Sequence, residues 1–142
     1  MGKTVVRETF GQHELWYEKE TGLVCIVHIG TMNGIDAQPL CDRVAEYAEE
    51  YGMPIFSLVD NRRATGFTNE ARKIMVEAAP MREMIVALYG ASFVIQTLLN
   101  MLFRASRAAK LSKSIVTACN SESEARAWLA EQQRIRGVRV AS

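Results

Sequence analysis

Residues 88–110 read LYGASFVIQTLLNMLFRASRAAK. At the helical period, Ser92, Gln96, Asn100, Arg104 and Arg107 fall on one narrow line, while Phe93, Val94, Ile95, Leu98, Leu99, Met101, Leu102, Phe103 and Ala105 take the rest of the circumference. A helix that only faces a sheet needs an apolar arc of about 100°. This one exceeds that, so its second apolar side is expected to meet another helix, a second subunit or an apolar ligand. Gln96, Asn100 and Arg104 interrupt the run before it reaches the ~20 apolar residues of a membrane span. Immediately upstream, Met84-Ile85-Val86-Ala87-Leu88 is a buried strand that feeds the helix through Gly90. A strand running into a helix is half of a parallel crossover unit, and the same unit recurs on both sides.

Upstream, Pro54 to Asp60 is a short apolar strand, expected to end in a polar loop from Asn61 to Gly66. Thr68 is the natural N-cap of a helix whose face is Ala71, Ile74, Met75 and Ala78, running up to Pro80. Before that strand, Pro39 suits the first turn of a helix reaching Tyr51, with Leu40, Val44, Tyr47, Ala48 and Tyr51 at spacings of three and four and Gly52 as its stop. Downstream, Ile115 to Cys119 is a fourth strand of this kind. Ser121 and Glu124 then have capping-box spacing at the start of a helix packed through Ala125, Trp128 and Leu129. The beginning differs. Thr4 to Phe10 reads as an edge strand and Gly11-Gln12-His13 as a turn; Leu15-Trp16-Tyr17 and the apolar run Leu23 to Ile29 form a hairpin about Glu20-Thr21-Gly22. The expected fold is α/β, a mixed sheet with an N-terminal antiparallel hairpin followed by parallel βα units, with helices packed on the sheet.

The 142 residues carry a net charge of +1, with 49% hydrophobic and 23% charged residues. One domain over residues 1–142 is expected, with a loose basic tail from about residue 134. The charge balance gives no global reason to bind nucleic acid. Cys25, Cys41 and Cys119 form no Cys-x-x-Cys pair, so neither a disulfide framework nor a zinc site is indicated. No cofactor motif is present. The first ten residues lack the apolar core of a secretory signal, and Val6 stands where N-myristoylation wants Ser or Thr, which makes the cytoplasm the expected location.

Three stretches share a pattern with a known family: VDNRRATGFTNEARKIM at 59–75, VALYGASFVIQTLLNMLFRA at 86–105 and ACNSESEARAWLAEQ at 118–132. Together with the order of elements from Glu14 to Gln132 they resemble the bacterial STAS-like superfamily, especially the branch related to anti-sigma factor antagonists and grouped with CRAL-TRIO-like lipid-binding domains. The resemblance implies a mixed sheet with packed helices, frequent homodimerisation, and a non-enzymatic role in partner switching or ligand sensing. In the antagonists a regulatory serine lies in an Asp-Ser-Ser-Gly segment where a helix follows a central strand. Here Gly66-Phe67-Thr68-Asn69 takes that place, and Thr68 alone offers a hydroxyl.

In open α/β sheets ligands gather outside the carboxyl ends of parallel strands. That rule selects His28, Asp60, Asn61, Arg62, Arg63, Ser92, Cys119 and Asn120. Arg62 and Arg63, with backbone N–H groups at Gly90 to Ser92, could hold an anion; alternatively Asp60 pairs with one arginine and Ser92 only caps its helix. Thr68 is either a plain cap or a cap open to phosphorylation. Cys119, His28 and Asp60 have the residue types of nucleophile, base and orienter but no surrounding signature, and His13 is the only other histidine, so no metal set emerges. Arg104, Arg107, Lys110 and Lys113 form a cationic cluster that suits a helix C-terminus or an anionic lipid surface. The apolar side made by Phe93, Val94, Leu98, Leu99, Leu102 and Phe103 is expected to be a homodimer or partner interface. The alternative is the wall of a pocket for a small apolar or amphipathic, lipid-like ligand, with Met75, Met81, Met84 and Met101 as adaptable surface. The expected function is thus that of a non-catalytic regulatory or protein-interaction domain.

Overall fold

A computed structural model describes residues 6–52, 54–78, 83–108 and 114–138, without the side chains of 102, 103 and 105–108. Met81, Lys110, Lys113 and residues 139–142 of the tail, and the side chains of Leu102, Phe103 and Arg107, therefore lie outside the described residues. The elements follow in the order β1 (Glu8–Phe10), β2 (His13–Glu18), β3 (Leu23–Met32), α1 (Gly34–Tyr51), β4 (Ile55–Phe67), α2 (Asn69–Ala78), β5 (Met84–Tyr89), α3 (Phe93–Ala108), β6 (Ile115–Cys119) and α4 (Glu122–Ile135). They form one six-stranded sheet in sequential order, antiparallel from β1 to β3 and parallel from β3 to β6. This is the mixed sheet with an N-terminal hairpin that the sequence leads one to expect.

Sequential order has a consequence for the helices. Crossovers that keep one hand while the sheet advances in one direction must all pass over the same face. Accordingly α1, α2 and α3 share one core, through Leu40 and Val44, Ala71, and Ile95 and Leu99, against Leu15, Val24, Ile55 and Leu88 of the sheet. The last helix closes no crossover and is free of that constraint. It covers the other face, where Ala125 and Leu129 pack on Leu23, Cys25, Phe56, Leu58, Ile85 and Ala87. Strand β5 and the first half of β4, from Ile55 to Val59, buried on both faces, are nearly continuous apolar runs for this reason.

Three expectations need correction. The segment Asn61 to Gly66 is not a loop. β4 continues through it to Phe67, paired with the end of β3 as Ile29 with Arg63, Gly30 with Ala64 and Met32 with Phe67, across two register shifts. Pairing supplies the backbone hydrogen bonds that the polar side chains do not foretell. Second, α1 starts at Gly34 rather than near Pro39, because Asn33 caps it by accepting the Asp36 N–H at 2.9 Å. Third, His13 lies in no turn: it opens β2 and is 1% exposed.

Candidate functional site

The residues selected at the strand ends divide between the two faces of the sheet. On the α1 side, His28 is 2% exposed, packs its ring at a tilt against His13 and Phe67, with centroids 5.2 and 4.7 Å away, and places Nδ1 3.3 Å from Asn61 Oδ1. Burial, and then the neighbouring His13, push the His28 imidazole down to about 4. His13 accepts the Ile29 N–H on Nδ1 at 3.1 Å and turns Nε2 toward Asp36, 3.9 Å away. Burial lowers its pKa as well, against the pull of Asp36. These are neutral, packed histidines.

Cys119 packs in the other core, beside α4, and β6 is separated from β3 by two intervening strands, an offset of roughly 14 Å at ~4.8 Å per strand. Cys119, His28 and Asp60 therefore do not assemble into a nucleophile, base and orienter. Burial moreover raises the Cys119 thiol above its ordinary value. Ser121 caps α4 by accepting the Glu124 N–H at 3.2 Å, as its spacing to Glu124 leads one to expect, but the Glu124 carboxylate returns to the backbone N–H of Asn120, at 3.0 Å, one residue before the cap.

On the α4 side the structure forms a half-open cavity of about 320 Å³ beside the first turn of α4. Each charged group in it is clasped. Arg126 of α4 forks onto Glu18 of β2 at 2.9 and 2.8 Å and gives Nε to Glu122 at 2.8 Å, while Tyr89 donates to the same Glu122 at 3.2 Å. That fork holds the Glu18 carboxyl at about 2 in spite of its burial. Asp60 accepts the Arg62 backbone N–H at 3.0 Å and is clasped by the Arg62 guanidinium at 2.8–3.2 Å. Burial pushes the Asp60 carboxyl up, but these donors outweigh it and hold the pKa below the ordinary value. Arg62 also lies over the Tyr89 ring, and Arg7 over Trp16.

Of the expected anion set, only Asp60 and Arg62 line this cavity. Arg63, one residue on, is exposed and does not line it, and Ser92 caps α3 by accepting the Ile95 N–H at 3.2 Å. Arg7, Trp16, Glu18, Tyr89, Glu122 and Arg126 line the cavity without a local motif that marks them; the i,i+4 spacing of Glu122 and Arg126 is the one signal in the sequence. Thr68 accepts the Ala71 N–H at 3.1 Å, the geometry of an N-cap.

The apolar helix divides as well. Ile95 and Leu99, 1% and 6% exposed, pack into the chain's own core, which corrects the assignment of Leu99 to an interface; Leu98 is partly buried against the same core. Phe93, Val94 and Met101 remain 83%, 62% and 60% exposed. Among the described residues no helix is long and apolar enough to cross a membrane, and no group of His, Cys, Asp and Glu could hold a metal.

No protein-family model matches the sequence, and no curated protein is similar to it. Solved structures do match. An uncharacterized protein of the DUF3478 family with a SpoIIAA-like fold, from Shewanella loihica PV-4, is similar at a TM-score of 0.52 and 15% identity over 89% of this chain and 92% of that one. The anti-sigma factor antagonist SpoIIAA in its unphosphorylated form is similar at 0.51 and 10% identity over 95% of this chain and 100% of that one. At such identity the likeness speaks for the fold, and the strand order, the N-terminal hairpin and the helix placement described above agree with it: the chain has a SpoIIAA-like fold.

Proposed function

We propose that this chain is a single-domain, non-catalytic protein-interaction module of STAS type, acting in the cytoplasm and pairing with a second copy or a protein partner through α3. One observation carries the reading. The helix has two apolar sides and its own subunit uses one of them, leaving Phe93, Val94 and Met101 in solvent. Exposed large apolar side chains grouped on one element mark interaction surfaces. The charged lining of the α4-side cavity lends no support to an apolar ligand, so pairing is preferred to lipid carriage. Native mass spectrometry from gentle to dissociating conditions tests the proposal. A ligand-free dimer that Phe93→Glu and Val94→Glu convert to folded monomer supports it. A monomer with a co-purifying apolar mass would transfer the α3 surface to ligand binding, and a ligand-free monomer that captures no partner would end the proposal.

A further inference from the structure

Beyond the six-stranded part of the sheet, β3 and β4 continue alone. The last partner of β3 on the β2 side is Glu14, opposite Val27, and the last partner of β4 on the β5 side is Tyr89, opposite Asp60. From Ile29 to Met32 and from Arg63 to Phe67 the two strands therefore pair only with each other, across two register shifts. Two strands by themselves are marginally stable in water. The tip of this ribbon nevertheless starts two helices: Asn33 caps α1, and Thr68, whose backbone N–H bonds the Met32 carbonyl at 2.9 Å, caps α2.

His13 and His28 lie at the base of the ribbon, and the geometry uses both as neutral rings. His13 Nδ1 accepts the N–H of Ile29, the first ribbon residue. A ring nitrogen that accepts carries no proton, so protonation there sets two N–H donors against each other. His28 lies between the His13 ring and Phe67, and its Nε2 is buried without a hydrogen-bond partner among the described residues. A proton on Nε2 makes a buried cation beside another imidazole. The charged group that faces the pair is Asp36 of α1, 3.9 Å from His13 Nε2. Glu14 of β2 turns to Arg7, Glu70 of α2 lies against Gly34, and Arg63 of the ribbon is exposed. Asp36 favours a proton on His13, the ring that then gives up Ile29; Asn61, Gly66 and Gly30 favour one on His28, and in both rings burial opposes it more strongly.

We propose that the ribbon is a proton-operated latch: uptake of protons by His13 and His28 releases Ile29–Met32 and Arg63–Phe67, and with them the first turns of α1 and α2, while the six-stranded part of the sheet stays closed. An acid-sensitive surface is thereby built into the carboxyl end of the sheet, separate from the outer side of α3 and independent of pairing. In the open ribbon an imidazole takes its proton near its ordinary value of about 6.5, whereas closed His28 takes it near 4, so opening rises as the pH falls between the two. From pH 7 to pH 5 His28 alone raises the opening equilibrium about 20-fold, and His13 adds in the same direction.

Amide hydrogen exchange of the full-length protein, followed by NMR at pH 7 and pH 5 and corrected for the intrinsic rate, tests the proposal. The N–H groups of Ile29, bonded to His13, and of Thr68, bonded to Met32, report on the ribbon. Their opening is expected to rise about 20-fold or more on acidification and to be insensitive to urea below the unfolding transition, whereas amides of β5 exchange through urea-dependent global opening. His28→Gln and His13→Gln, in proteins that circular dichroism shows to be folded, should each lose part of the rise; the urea comparison in the parent decides by itself where a variant does not fold. Ribbon opening that is unchanged between pH 7 and pH 5, or that shares the urea dependence of β5 at both, would overturn the proposal, as would an undiminished rise in both folded variants.

Discussion

Lowering the pH should weaken this protein well before its carboxylates titrate, and His28 supplies the reason. Its ordinary pKa of about 6.5 applies in the unfolded chain, whereas burial and the His13 ring bring it to about 4 in the folded one. A depressed folded pKa means that stability is fully present above the unfolded value and is lost as the pH falls toward the folded value. Integrated between about pH 7 and pH 5, the loss is about 2 kcal/mol, out of about 3 kcal/mol for the whole titration. His13, also depressed by burial, adds to the loss in the same direction. Glu8, Glu18, Asp60 and Glu131, whose pKa values are lowered, contribute only below their ordinary values, so they leave this window clear. Urea denaturation at a series of pH values measures the slope. His28→Gln, uncharged throughout and able to bond Asn61, should be less stable at pH 7 and should lose about 2 kcal/mol less than the parent between pH 7 and 5. Equal losses in the parent and in His28→Gln would refute the reasoning, because the buried imidazole would then not be the group taking up the proton.

Two further outcomes follow from the packing. Leu99→Ala should cost about 2–5 kcal/mol in urea denaturation without changing subunit number, since Leu99 fills the chain's own core; Phe93→Ala should show the reverse, little loss of stability and weakened association. Thr68→Ala should cost about 1 kcal/mol and Thr68→Ser should restore most of it, because the hydroxyl is used to cap α2.

Much of the fold was legible locally. The β5 run, the Ser121 cap, the Thr68 cap and the stripe along α1 are short-range signals, each decided within a few residues. The β4 extension was not legible, because a polar segment such as Asn61 to Gly66 becomes strand only when the end of β3 lies beside it. The start of α1 is set by Asn33, a weaker local signal than Pro39 five residues into the helix. The candidate site was read less well. The strand-end rule finds Asp60 and Arg62, but Arg63 and Ser92, which satisfy it equally, lie elsewhere.

What the sequence by itself determined is the succession of elements and the class of fold, since both depend on periodicity and on caps that neighbouring residues complete. What only the tertiary structure decided is which residues meet. His13 and His28 come together through pairing of β2 with β3, Glu18 and Arg126 through the return of α4 across the free face, and Ile95 and Phe93 part company only when α3 settles on the sheet. Contacts between residues distant in the chain carry no local signature, because the same side chain satisfies its helix or strand equally well whether it turns to a core, a cavity or a second molecule.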